Sequence, residues 1–131
     1  MTIAVSELTF MERFAPRYGI PVPRHIEGSA NRADLKKALG EWGGKALVKP
    51  DVLTGKRAKA GLVTLIDNVP DAIRQVKRIS STEIDSKMPR TAYLVEVKPA
   101  KLEVFSAITY NSSYLQPSFT LSLEGGVDIE E

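Results

Sequence analysis

The sequence predicts an α+β protein with mixed or antiparallel sheets and helices packed on one face. Three observations lead there. Leu35, Ala38, Leu39 and Trp42, and again Ile73, Val76 and Ile79, recur at helical spacing and give each segment one apolar face. Ala46 to Lys49, Leu62 to Ile66 and Tyr93 to Val97 are short apolar runs of strand length. The last strand-like runs follow one another without a helix between them, so few strands lead directly into a parallel crossover.

In chain order, Ser6 to Ala15 reads as a helix. Ser6 or Thr9 supplies an N-cap, and Phe10, Met11 and Phe14 supply the apolar stripe. Pro16 disfavours helical geometry at Ala15 and ends or kinks it there. Gly19 suits a chain reversal. Ile20-Pro-Val-Pro23 is a short extended piece for a sheet edge, because two prolines cannot sit in a central strand. Asn31 caps a second helix, with Asp34 favourably placed in its first turn, and Gly43-Gly44 stops it. Asn68 opens a third helix that tolerates Pro70 in its first turn. Ser80 to Arg90 is polar, lacks a period and reads as a loop. Leu102 to Tyr110 and Ser118 to Leu123 are strands around the turn signal Asn111-Ser-Ser113. The second of them alternates cleanly: Phe119, Leu121 and Leu123 on one face, Ser118, Thr120 and Ser122 on the other.

A chain of 131 residues suits one modest domain or a piece of a larger one. Its net charge of +2 is too mild to imply nucleic acid. It has no cysteine, which excludes disulfides, thiolate nucleophiles and zinc–thiolate sites and fits a reducing cytoplasmic setting. No apolar run approaches the ~20 residues of a membrane span, and the start lacks the pattern of a signal peptide.

One stretch concentrates charge between two candidate core strands. Ala46 to Lys49 ends in a cation, and the loop that follows carries Lys56, Arg57 and Lys59 before Leu62 begins the next strand. A phosphate site needs cations, backbone N–H groups and room, and Gly55 and Gly61 give room. A hairpin loop solvated by its lysines has the same composition, so both readings stand. The Walker pattern is absent. Glu96, inside Tyr93-Leu-Val-Glu-Val97, is costly to bury unless paired and reads as either an outward-facing residue or a ligand group, as does Glu103. His25, the sole histidine, has no nucleophile or metal-ligand pattern around it. Glu124, Asp128, Glu130 and Glu131 read as a solvated acidic tail before a metal site.

The order of these motifs resembles the start of the nucleotide-binding subunit of ADP-forming acyl-CoA ligases, which carries an ATP-grasp domain: succinyl-CoA synthetase beta subunit, ATP-citrate lyase and citryl-CoA synthetase. Tyr18-Gly-Ile-Pro-Val-Pro23, Val48-Lys49 with Gly55-Lys-Arg-Ala-Lys-Ala-Gly-Leu-Val63, Leu94-Val-Glu96 and Ser122-Leu-Glu-Gly-Gly-Val-Asp-Ile-Glu130 carry the resemblance, across nearly the whole chain. It implies ATP as cofactor, with Lys49 on its phosphates and Lys56, Arg57 and Ala58, after Gly55, folded over it. It implies Glu96 at the adenine-binding hinge and Glu103 on the ribose. It also implies an N-terminal ATP-grasp subdomain over 1–90 and the start of a second, incomplete one over 91–131.

The Glu-Ile-Asn-Pro segment and later aspartate that hold Mg2+ in such enzymes are not in this sequence, nor is a CoA-ligase region. The expectation is therefore an N-terminal fragment that needs the remainder of the subunit and a CoA-binding, phosphohistidine-bearing partner, and that does not turn over alone. The Val-Lys-Pro-Asp and Gly-Leu-Val variants lean toward the ATP-citrate lyase branch. The family's loop glycines at Lys56, Ala58 and Leu62 are lost, which stiffens the loop. That loss motivates the alternative expectation, a non-catalytic stand-alone interaction or regulatory module.

Overall fold

A computed structural model describes residues 3–55, 57–123 and 125 of the chain. The expectations for Lys56, Glu124 and the Asp128–Glu131 carboxylates lie outside the described residues. The chain divides into two compact units, residues 1–98 and 99–131.

The first unit is a four-stranded antiparallel sheet of β1 (His25–Glu27), β2 (Ala46–Asp51), β3 (Thr64–Ile66) and β4 (Thr91–Glu96), in the order β1-β4-β2-β3. Helices α2 (Arg32–Glu41) and α3 (Val69–Ser80) connect β1 to β2 and β3 to β4. Each connection crosses over one intervening strand, so strands parallel in direction are never neighbours. The sequence-based boundary at 90/91 precedes β4, whereas the compact units divide after Lys98. β4 is hydrogen-bonded between β1 and β2 and so belongs to the first sheet.

The side-chain period of two sorts the sheet's faces. Ala46 and Val48 of β2, with Ala92 and Leu94 of β4, meet Leu35, Leu39, Ala72 and Ile79 of the two helices in the main core. The opposite residues, Leu47, Tyr93 and Val95, face Leu8 and Met11 of the N-terminal segment. The expected single helical face thus holds for α2 and α3, while the N-terminal segment covers the other side. Ile73, expected in the buried stripe of α3, is 42% exposed; Ala72 is buried in its place.

Local signals account for the boundaries. Ser6 caps α1 (Glu7–Thr9) by accepting from the Thr9 N–H at 3.2 Å. The chain then widens into a π turn over Phe10–Phe14, where the Ala15 N–H reaches the Phe10 carbonyl at 2.9 Å. Pro16 opens a short 3-10 turn, which Gly19 ends in left-handed conformation at φ 64°. The Ile20–Pro23 stretch forms no strand, and the edge strand begins only after it, at His25. Asn31 and Asn68 cap α2 and α3, accepting from the N–H groups of Asp34 and Asp71 at 2.9 and 2.8 Å. β2 runs through Pro50 because β3 pairs only with residues 46–48, so no third strand calls on the missing donor.

The second unit is a hairpin of β5 (Phe105–Asn111) and β6 (Gln116–Ser122). Asn111 shapes its turn by accepting from the N–H groups of Ser113 and Tyr114. Ile108 stands opposite Phe119 and Ser106 opposite Leu121, so the expected apolar face forms. Its members are nevertheless exposed, Phe119 by 66%.

Candidate functional site

Lys49 lies on β2 directly opposite Tyr93 of β4, on the sheet face turned away from α2 and α3. Its ammonium donates to Glu7 Oε1 at 2.9 Å. Arg57, on the connection between β2 and β3, donates from Nη2 to Glu7 Oε2 at 2.8 Å. Its Nη1 reaches the Pro50 carbonyl at 3.4 Å. Two cations from separate elements therefore converge on one carboxylate, each taking one oxygen. Burial works against the charge of Glu7, but Lys49 and then Arg57 outweigh it and hold its pKa below the ordinary carboxylate value.

Tyr93 is fully buried beside this trio, and its hydroxyl has no hydrogen bond of acceptable geometry. Burial, followed by the Glu7 charge, pushes the phenol pKa far up, so it remains a neutral donor.

The loop itself is tied at both ends. Thr54 donates to Asp85 at 2.9 Å, and Lys87 donates to the Leu53 carbonyl at 2.9 Å. The turn 57–61 closes on itself through Leu62 N–H to the Arg57 carbonyl, 3.0 Å. Arg78 of α3 then grips the Gly61 carbonyl at 3.0 Å and Thr64 Oγ1 at 3.1 Å. Gly55, Ala58 and Lys59 are exposed along this path. Beneath the loop, Asp51 is sealed in with a side chain only 1% exposed, its Oδ2 accepting from Arg90 Nε at 2.7 Å.

Glu96 ends β4 and is buried, not turned outward. The Arg24 N–H donates to its Oε1 at 3.0 Å, and the Arg24 guanidinium to its Oε2 at 2.7 Å. Lys98 adds a contact of 3.0 Å to Oε1. Two side-chain cations and a backbone donor close it off. Desolvation raises its pKa, yet these hydrogen bonds prevail and lower it to about 2. Glu103 is exposed in the second unit, beside Gly125: a Cβ at Gly125 would lie 2.8 Å from the Glu103 carbonyl carbon.

Structure thus joins Lys49 with Arg57 and shows Gly55 and Ala58 along the same connection. Glu96 has its own clamp. Sequence reasoning missed Glu7, Arg24 and Lys98. Glu7 carried one usable signal, an acid just behind the Ser6 cap; Arg24 carried none, because only folding brings it to a residue 72 positions away. A groove of about 570 Å³ opens elsewhere, between β1 and α2, with Arg24, His25, Ala38 and Trp42 in its walls but neither Lys49 nor Arg57. His25 Nδ1 sits 3.0 Å from the Pro23 carbonyl. Among the described residues no group of three or more His, Asp or Glu side chains converges on a metal position, and no helix is long and apolar enough to cross a membrane.

The chain is 32% identical over 117 residues to the succinate–CoA ligase (ADP-forming) subunit beta of Bacteroides thetaiotaomicron, covering 88% of this chain and 31% of that protein. It is 29% identical over 119 residues to the protein of the same name in Methanocaldococcus jannaschii, covering 88% and 31%. It is 30% identical over 115 residues to the succinate–CoA ligase (GDP-forming) subunit beta of Thermus thermophilus, covering 88% and 30%. The chain therefore spans less than a third of the length of these relatives. Residues 10–131 match the model of the ATP-grasp domain, and the chain belongs to the ATP-grasp domain family.

Proposed function

We propose that this chain supplies the first half of a nucleotide site in an acid–CoA ligase of the ADP-forming kind, or in an enzyme of ATP-citrate lyase type. The observation that carries the reading is the convergence of Lys49 and Arg57 on one oxyanion position, at 2.9 and 2.8 Å from the two oxygens of Glu7. Such a pair neutralises the charge of a polyphosphate. Gly55, Lys56 and Ala58 complete the loop over the phosphates. Glu96 fixes the end of β4 at the adenine hinge, and Glu103 serves the ribose.

ATP, when bound with Mg2+, supplies the phosphoryl group; this chain binds and orients it. The metal ligands, the phosphohistidine and the CoA site belong to the remainder of the subunit and to a partner subunit, in a cytoplasmic enzyme. The names of the relatives favour succinate as the acid. The Val48-Lys-Pro-Asp51 and Gly61-Leu-Val63 variants favour citrate.

Calorimetric titration of the chain with MgATP tests the site. Binding is expected to be weak, with a Kd on the order of 0.1–1 mM because half the site is missing, and Lys49→Gln is expected to weaken it about tenfold or more. Equal binding by the wild type and Lys49→Gln removes the phosphate assignment. In a subunit extended beyond residue 131, ATP-dependent thioester formation with succinate or with citrate decides the acid.

A further inference from the structure

Glu7 stands where the reading above puts a phosphate, and that coincidence has a function of its own. Both of its oxygens are used, one by Lys49 and one by Arg57, in the bridging manner of a bound oxyanion. The partners lie 42 and 50 residues away, so this is no local pairing along a helix. The three side chains keep 30%, 23% and 24% of their surface exposed, which leaves the trio within reach of a ligand. The backbone under Glu7 is fixed, because Leu8 is fully buried and Met11 is 5% exposed against Tyr93 and Val95. Release therefore needs rotation of one side chain and no movement of the helix.

We infer that Glu7 is an internal stand-in for phosphate, holding Lys49 and Arg57 together in the empty site and giving them up to an incoming polyphosphate. The inference rests on the phosphate reading of this site and adds a competitor to it. With Glu7 in place the trio carries one net positive charge; with Glu7 turned away a ligand meets two. The carboxylate also keeps two half-buried cations paired when no nucleotide is present, which spares them an uncompensated desolvation. The Tyr93 hydroxyl, which lies beside Glu7 and Arg57 and makes no hydrogen bond of acceptable geometry among the described residues, is a further donor for an oxyanion that takes this place.

Inorganic tripolyphosphate tests the stand-in directly, because it offers the anion without base or ribose. The full chain is titrated as wild type, Glu7→Gln and Glu7→Asp. Glu7→Gln is expected to bind tripolyphosphate about tenfold tighter than wild type, the gain from removing one competing ion-pair partner worth about 1.4 kcal/mol. Glu7→Asp, whose shorter carboxylate spans both cations poorly, is expected to fall between. If Glu7→Gln fails to fold, as circular dichroism would reveal, Glu7→Asp carries the test alone. Binding equal to or weaker than wild type by the folded variants overturns the inference, as does the absence of any tripolyphosphate binding. The nucleotide reading fails separately: tighter tripolyphosphate binding without Lys49-dependent MgATP binding keeps the stand-in and removes the nucleotide.

Discussion

β4 and β6 are both short strands that carry large apolar side chains, and these meet opposite fates. β4 is flanked by β1 and β2 and covered on both faces, by the helices through Leu94 and by the N-terminal segment through Tyr93. Among the described residues β6 pairs only with β5, and its Phe119 and Leu121 are 66% and 60% exposed. The hydrogen-bonded ladder is equally regular in the two cases. What differs is cover. Alternation sorts side chains between two faces but supplies no free energy until one face leaves water. A two-stranded hairpin by itself is marginal, and both buried hydrophobic clusters lie within residues 3–98.

The largest expected effect breaks that comparison if it fails. Leu94→Ala removes a fully buried side chain from the main core and is expected to cost about 2–5 kcal/mol in urea unfolding. Phe119→Ala removes a larger side chain from the exposed face of the hairpin and is expected to change the same unfolding free energy by less than about 0.5 kcal/mol. Equal losses would mean that the apolar face of the hairpin is covered in solution.

The same contrast explains what was legible in the sequence. The caps at Ser6, Asn31 and Asn68, the stop at Gly43-Gly44 and the turn at Asn111 are local signals, and local signals fix helix and hairpin positions. β1 is not legible in the sequence because three residues at an edge carry no period, and the prolines before it mark the preceding segment instead. The stripe through Val76 and Ile79 admits Ile73, yet α3 is rotated so that Ala72 points inward. At the site, Lys49 and the loop cations stood out by their concentration. Their partner did not, since Glu7 is remote in sequence and reaches them only because β2 and the N-terminal segment share one face of the sheet. An outward-facing Glu96 stands as one of two readings of the sequence because Arg24, the residue that makes its burial tolerable, is also remote.

A second pair of substitutions sharpens the comparison at intermediate size. Gly28 follows β1, and a Cβ there would lie 2.7 Å from the Ala92 carbonyl oxygen and from both Val76 methyl groups. The carbonyl belongs to β4 and already accepts from the Gly28 N–H at 2.9 Å, so it cannot retreat without opening the sheet. Gly28→Ala is expected to cost about 1–3 kcal/mol, the usual penalty of overpacking. Gly125→Ala makes a similar intrusion against the Glu103 backbone in the hairpin unit. It is expected to leave global unfolding unchanged and to speed amide exchange within residues 105–122 only. A global loss from Gly125→Ala would show that the two units unfold together.

A pH-dependent effect concerns Glu96, which ends β4 two residues before the division between the units. Its pKa is lowered to about 2 in the folded chain, against an ordinary value of 4.5 once the chain unfolds. The folded state therefore holds fewer protons than the unfolded state between these values. The stabilisation is complete above about pH 4.5 and is lost as pH falls toward 2. Glu96→Gln cannot titrate, so its urea midpoint is expected to fall less steeply across that window than the wild type's, with Glu7 contributing to both curves alike. The Arg24 side chain is 52% exposed, so added salt is expected to shrink the difference. Parallel curves for wild type and variant would mean that Arg24 and Lys98 leave the carboxylate in solution, and β4 would then end without the clamp that distinguishes it from the open end of β6.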